Sequence, residues 1–90
     1  MYRGLTVAAV VPAWREEKHV GRVVETMPEL VDHIVVVDDC SPDDTYERAV
    51  ATADPRLTVI RLEENQGVGG AIMTAHRSAM EQGADINVVF

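Results

Sequence analysis

This chain of 90 residues contains few cysteine and aromatic residues. Cys40 is its single cysteine, so no disulfide can form within the chain, which suits a reducing compartment. Aromatic residues make up only 4% of the sequence, and small and branched aliphatic side chains must therefore fill the core. No apolar run approaches the ~20 residues of a membrane span, and no signal-peptide pattern follows Met1. We therefore expect a cytoplasmic location.

Basic residues are also scarce, since 8 Lys and Arg stand against 15 Asp and Glu, giving a net charge of −7. A nucleic-acid-binding protein normally presents a basic patch, so no nucleic acid is expected as a partner. The acidic residues cluster at Asp38-Asp39, Asp43-Asp44 and Glu63-Glu64, as a solvated face or a cation site would. A hydrophobic fraction of 47% excludes a disordered chain and predicts one small core.

The apolar pattern predicts strands that alternate with helices. The expected strands are Leu5–Val11, Ile34–Val37, Leu57–Leu62 and Ile86–Phe90. The expected helices are Glu16–Met27, one that begins with Ser41 as cap and Pro42 in its first turn, and Val68–Gln82. Such alternation predicts an α/β fold, a Rossmann-like parallel sheet of strand order 3-2-1-4 with helices on both faces. Ligands then bind beyond the carboxyl ends of the strands, where Pro12–Glu17 and Asp38–Asp44 share one edge.

Asp38 and Asp39 end the second predicted strand as adjacent carboxylates. Like charges repel, and a ligand that offers donors or a cation would relieve that repulsion. Because strand residues alternate in direction, one of the two is expected to face a pocket. The alternative is a solvated turn that caps the next helix.

Three further features have both a functional and a structural interpretation. Trp14 can stack on a nucleobase or pack over the sheet edge as core. Glu16 can accept a hydrogen bond from a ligand or complement a helix dipole. The loop Asn65–Gly70 can hold phosphate at a helix start or form a tight turn that needs glycine, and Ile72 breaks the dinucleotide fingerprint. The histidines lack metal-ligand spacing and Cys40 lacks a base, so we assign neither a catalytic residue nor a metal ligand.

Four segments together resemble family 2 glycosyltransferases of the GT-A fold. Val10–Glu17 resembles the family's V-I-P-A-Y-N-E-E, and Val35–Thr45 resembles its V-V-D-D-x-S-x-D-x-T. Asn65–Ala71 resembles N-x-G-x-G-x-A, and Ala79–Asp85 matches A-x-x-x-G-A-D. The likeness covers nearly the whole chain in the right order, and it is greatest to the branch that acts on dolichyl and undecaprenyl phosphates.

This resemblance implies a nucleotide-binding site. Its residues would be Pro12, Trp14, Glu16, Asp38, Asp39, Asn65 and Gly67. In that site Asp39 would hydrogen-bond the base and Asp38 would support the turn. Trp14 and Arg15 replace the family's usual Tyr and Asn, so the ring can still stack but the hydroxyl is lost.

The resemblance also implies partners. The donor would be a nucleotide-diphospho-sugar, with Mg²⁺ or Mn²⁺ on its diphosphate, and the acceptor a polyprenyl phosphate at the inner face of the membrane. The family's D-x-D is expected just after Phe90, so residues 1–90 would be the N-terminal donor-binding part of the GT-A domain, inactive alone. The apolar strand Ile86–Phe90 would leave an edge open to self-association.

Other α/β proteins also carry paired acids at a strand end. In a receiver domain the acids follow the first strand and a phospho-accepting Asp ends the third, whereas here the third runs into Arg61-Leu62-Glu63. A nucleotidyltransferase would need a glycine-rich, basic loop in place of Trp14-Arg15-Glu16. A non-catalytic nucleotide-binding α/β protein remains as a third alternative.

Overall fold

The computed structural model describes every residue from Met1 to Phe90. The chain forms four strands that alternate with three helices. The strands are β1 (Val7–Ala13), β2 (His33–Asp38), β3 (Leu57–Arg61) and β4 (Ile86–Val89). The helices are α1 (Val20–Glu25), α2 (Thr45–Val50) and α3 (Gly67–Glu81). None of these helices combines the length and the apolar character needed to cross a bilayer.

All strand pairs are parallel, and the sheet order β3-β2-β1-β4 confirms the predicted topology. Successive residues of β1 and β2 point to opposite faces and fill two separate cores. The core that contains Ile34 and Val36 packs against α1 and α2. The core that contains Val35 and Val37 packs against the buried alanines of α3, Ala71, Ala75 and Ala79. Helices therefore cover both faces, as expected.

Strand β1 is longer at its carboxyl end than the sequence predicts, because Pro12 lies within it and pairs with Val37. The carbonyl of Val10 accepts the N–H of Phe90, so the backbone groups of Val10 point toward β4. Those of Pro12, two residues further along the strand, point the same way. The pairing of β1 with β4 ends at Val10. The proline nitrogen thus faces a position where no ladder hydrogen bond is lost.

Helices α1 and α2 start later than predicted. Glu16 and Glu17 lie in a turn before α1, where the Glu16 carbonyl accepts the N–H groups of His19 and Val20. Ser41 and Pro42 lie in a loop and do not begin α2. The left-handed backbone of Cys40, with φ of 59°, turns the chain away from helical geometry there.

Only a narrow face of α2 and of α3 is buried. Within α2, Ala49 is fully buried whereas Val50 is exposed. On α3 the buried stripe consists of Ala71, Ala75 and Ala79, and Met80 is exposed. His76 is exposed and contacts Asn87.

Strand β4 forms one edge of the sheet, and Val88, Val89 and Phe90 along it are exposed. Such an apolar edge can pair with another chain. Self-association through this edge stays a prediction.

Arg56 fastens the start of β3 to the segment before β2. Its guanidinium donates to the carbonyls of Pro28 and Val31 at 2.9 and 3.0 Å, and pairs with Asp54 at 3.0 Å. The hydrogen bonds from the side chain and then from the backbone N–H of Arg56 lower the pKa of the Asp54 carboxyl. The charged form of Asp54 therefore stabilises the folded chain.

This ion pair predicts a loss of stability in acid. A carboxyl whose pKa is lower in the folded than in the unfolded chain stabilises fully above its unfolded pKa, about 3.9, and progressively less as the pH falls through the folded value. The free energy of unfolding, measured by urea denaturation, should therefore be steady near neutral pH and decrease below about pH 4. Asp54→Asn should lower the urea midpoint at pH 7 and make the acid decrease shallower. The control, Glu64→Gln at an exposed position, should change neither. An unchanged acid slope in Asp54→Asn would contradict this account.

Candidate functional site

The carboxyl ends of three strands lie side by side. Ala13 pairs with Asp38, and Asp38 pairs with Arg61. One step further, the Asp39 N–H donates to the Ala13 carbonyl and the Leu62 N–H to the Asp38 carbonyl, both at 2.9 Å. The loops that follow β1, β2 and β3 therefore leave from one edge, as the topology predicts.

Both carboxylates at the end of β2 are buried, with 0% of Asp38 and 3% of Asp39 exposed. Asp38 Oδ1 accepts the Ser41 N–H at 3.2 Å, and Asp38 Oδ2 lies 3.6 Å from Arg61 Nε. Asp39 Oδ1 accepts the Gln66 N–H at 2.7 Å. The solvated-turn interpretation is therefore wrong for this pair, because each carboxylate is bonded to a different segment of the chain.

Asp39 also orders the glycine loop before α3. Its carbonyl accepts Asn65 Nδ2 at 3.1 Å, and Asn65 Oδ1 accepts the Gly67 N–H at 3.2 Å. Gly67 has a φ of 79°, which disfavours any side chain. A Cβ on Gly70 would lie 2.6 Å from Gln66 Cβ, so this position has no room for one. The loop thus has the close-packed turn geometry that its glycines predict.

Two hydroxyl groups join the loop after β2 to the loop after β1. Ser41 Oγ accepts the Arg15 N–H at 3.0 Å, and Thr45 Oγ1 accepts the Glu16 N–H at 2.9 Å. The Thr45 hydroxyl in turn donates to Asp43, and this hydrogen bond lowers the pKa of the Asp43 carboxyl. The polar residues of the V-V-D-D-x-S-x-D-x-T segment therefore all make contacts that hold this edge together.

A cleft of about 660 Å³ opens between these loops. Its walls are formed by Trp14, Asp39, Cys40, Pro42, Asn65, Gly67 and Val68. Trp14 is 47% exposed, so it is not part of the core. The Arg15 guanidinium lies 4.7 Å from the centre of its ring and forms a cation–π pair that orients it. The cleft thus combines an available aromatic face with a buried carboxylate and a glycine loop.

The remaining predicted site residues lie outside this cleft. Pro12 and Glu16 line a smaller cavity of about 210 Å³ together with Phe90, and Glu16 pairs with His19 at 3.4 Å. Asp38 lies in the interior and supports the turn. Their placement leaves the direct nucleotide contacts expected of Pro12 and Glu16 as predictions.

Three residues of the cleft wall, Cys40, Pro42 and Val68, are not among those predicted from the sequence. They occupy the variable positions of the D-D-x-S-x-D and N-x-G-x-G segments. Each of them lies next to a residue that holds its loop in place. Because alternate positions of a tight loop face opposite ways, this spacing was the feature of the sequence that could have indicated them.

No three His, Cys, Asp or Glu side chains lie together in a way that could hold a metal ion. The carboxylates of Asp38 and Asp39 are directed to separate partners. Residues 1–90 therefore do not fit the divalent cation that the resemblance implies, and we assign none of them to it.

An open parallel sheet with a cleft at the carboxyl ends of its strands defines a class of α/β protein that binds ligands at this edge. Residues 8–84 match the model of the family described as glycosyl transferase family 2, and the chain belongs to that family. This membership excludes the receiver-domain and nucleotidyltransferase interpretations.

Two curated relatives act on polyprenyl phosphates, by their names. The UDP-N-acetylglucosamine–dolichyl-phosphate N-acetylglucosaminyltransferase of Methanococcus voltae is 34% identical over 90% of this chain. The undecaprenyl-phosphate mannosyltransferase of Micrococcus luteus is 32% identical over 93%. The matched regions make up 38% and 36% of those proteins, so the chain spans well under half of their lengths.

Solved structures of glycosyltransferases share the fold. A Pyrobaculum calidifontis mannosyltransferase in complex with GDP-Man and Mn²⁺ has a TM-score of 0.73 and 27% identity, over 83% of this chain and 24% of its own. Glucosyl-3-phosphoglycerate synthase of Mycobacterium tuberculosis, with Mn²⁺, UDP-glucose and glycerol 3-phosphate, has a TM-score of 0.73 and 28% identity, over 96% and 34%. These likenesses confirm the GT-A type of sheet.

The two hydroxyl contacts predict local changes in amide exchange. Ser41→Ala removes the acceptor of the Arg15 N–H, and Thr45→Val removes that of the Glu16 N–H. Each substitution should speed hydrogen exchange of its own partner amide about 2- to 10-fold, as expected for one lost hydrogen bond. Residue-resolved exchange by NMR measures this, with the Val36 amide in β2 as internal control. Equal acceleration at Val36 would show general destabilisation and contradict the local effect.

Proposed function

We propose that this chain binds the nucleoside of a nucleotide-diphospho-sugar in the cleft between the loops that follow β1, β2 and β3. The observation that carries the proposal is the convergence of Trp14, Asp39, Asn65 and Gly67 on that one cleft. These residues lie in three segments that are far apart in sequence. The family membership and the neighbours crystallised with GDP-Man or UDP-glucose support the same assignment.

The cleft suits a nucleobase. The exposed ring of Trp14 offers a face for stacking, which contributes about 1–3 kcal/mol per base. Asp39 Oδ1 accepts the Gln66 N–H, which leaves Oδ2 to accept a hydrogen bond from a ligand. A carboxylate oxygen accepts from the ring N–H of uracil or guanine. Both bases occur in the donors bound by the structural neighbours.

The diphosphate needs positive charge that this part of the fold does not supply. The chain carries a net charge of −7, and no Lys or Arg lines the cleft. A divalent cation, Mg²⁺ or Mn²⁺, would neutralise the diphosphate and stabilise the charge that develops on it when the sugar leaves. We propose that residues after Phe90, including the expected Asp-x-Asp, hold this cation in the whole protein.

The whole protein would then transfer a hexosyl group to a polyprenyl phosphate at the cytoplasmic face of the membrane. The names of the Methanococcus voltae and Micrococcus luteus relatives support this acceptor class. In this proposal residues 1–90 supply donor recognition, whereas the acceptor site and catalytic base belong to later segments.

Nucleotide binding tests the cleft directly. UDP and GDP, titrated with and without Mn²⁺ or Mg²⁺, should change the fluorescence of Trp14, the only tryptophan. Trp14→Ala should weaken binding, followed by calorimetry, about 5- to 150-fold because stacking is lost, while Trp14→Tyr should retain most of it. Asp39→Ala should also weaken binding, whereas Asp44→Asn at a nearby exposed carboxylate should not. Unchanged affinity in Asp39→Ala would disprove the base contact.

Residues 1–90 alone should show no sugar transfer. In this proposal the cation site and the acceptor site belong to later segments, so the isolated chain would not stabilise the departing diphosphate. The assay is transfer of radiolabelled sugar from UDP- or GDP-sugars to a polyprenyl phosphate, with a full-length family member as positive control. Turnover by residues 1–90 would contradict this division of roles.

A further inference from the structure

Arg61 closes β3 beside the candidate site, in register with Asp38 of β2. Its guanidinium lies 3.6 Å from Asp38 Oδ2 through Nε and donates to the Ser41 carbonyl at 3.3 Å through Nη2. The same group lies 3.6 Å from Glu47 and 5.7 Å from the centre of the Tyr46 ring. All of these contacts fall within residues 38–47, the segment that forms one wall of the cleft.

Arg61 is the cation that compensates a fully buried carboxylate. Asp38 is 0% exposed, and its Oδ2 has no hydrogen-bond partner, so the ion pair with Arg61 is what offsets its charge. Burial of a charge without a partner is costly, and the turn would otherwise rearrange to expose Asp38 to water.

The effect of Arg61 extends to Trp14 through a short series of contacts. Asp38 Oδ1 accepts the Ser41 N–H, and Ser41 Oγ accepts the Arg15 N–H. Arg15 follows Trp14 directly and lies over its ring. A change in the position of Ser41 therefore displaces the aromatic wall of the cleft as well as the turn that carries Asp39.

We infer that Arg61 is a positioning residue for nucleotide binding, which holds the turn and the Trp14 loop in the geometry that a nucleoside requires. This inference rests on the proposed function of the cleft. Arg61 does not line that cleft and is itself 44% exposed, so it acts through Asp38 and Ser41 without touching the ligand. Because its contacts lie within one segment and outside both cores, its loss loosens that segment more than the sheet.

The test compares Arg61→Met, Arg61→Lys and the control Arg77→Met, an exposed position on α3. Arg61→Met should weaken UDP or GDP binding about tenfold, within the range of coupling seen for residues that share a network. Arg61→Lys keeps the charge but loses the planar fork, so it should recover part of that affinity. Arg77→Met should bind as the unsubstituted chain does. Calorimetry is done under conditions where circular dichroism shows every variant fully folded.

Two readouts separate positioning from a general loss of stability. In the ligand-free protein, Arg61→Met should shift the emission of Trp14 and speed exchange of the Arg15 amide, but leave the Val36 amide unchanged. In a double-mutant cycle, Arg61→Met should have a clearly smaller effect on affinity in the Asp38→Asn background, because the buried charge is already gone.

The outcomes are distinct. If the unsubstituted chain binds nucleotide and Arg61→Met binds equally well, or if its effect is the same in both backgrounds, the inference is overturned and the proposed function stands. If the unsubstituted chain binds neither UDP nor GDP, the proposed function fails and this role of Arg61 fails with it.

Discussion

The carboxyl edge of the sheet depends on the burial of two adjacent carboxylates, those of Asp38 and Asp39. Buried charges must be paired or hydrogen-bonded, and neighbouring side chains on a strand point in opposite directions. The pair therefore draws in partners from two sides, Arg61 from β3 and the Gln66 backbone from the loop before α3. The need to compensate these two buried charges thus holds both the end of β3 and the loop before α3 against the end of β2.

Buried hydroxyl groups add further hydrogen bonds to this edge of the sheet without adding charge. Ser41 and Thr45 are almost fully buried and accept backbone N–H groups from the loop after β1, at positions where no strand can supply a carbonyl. Arg15 adopts a left-handed backbone, with φ of 55°, in that loop. The bond from its N–H to Ser41 helps to offset the cost of this conformation. Hydrogen bonds within the protein therefore hold the loop after β1 in place, and such preorganisation limits the entropy lost on binding.

Sequence alone was sufficient for the strand order and for the edge at which the site lies, because uninterrupted valine runs define a doubly covered parallel sheet. It was insufficient where tertiary contacts override local preference. Ser41 has the chemistry of a helix cap but serves the Arg15 N–H instead. Val50 has the apolar character of a core residue, yet it is exposed next to the buried Ala49. Arg61 gave no local signal, because its partner Asp38 lies 23 residues away and meets it only through the register.

Within Asp38–Thr45, residues that point inward alternate with residues that form the cleft wall. Asp38, Ser41 and Thr45 point inward and maintain the frame, whereas Cys40 and Pro42 form part of the cleft wall. Substitution of Pro42 changes the shape presented to a ligand without removing a hydrogen bond, whereas Cys40 also donates its thiol to the Glu63 carbonyl at 3.5 Å and has a positive φ that narrows the choice of residue there. A cleft-wall position and a framework position can therefore be one residue apart in sequence, so the shape of the cleft can change at Pro42 while Ser41 keeps its contact with the loop after β1.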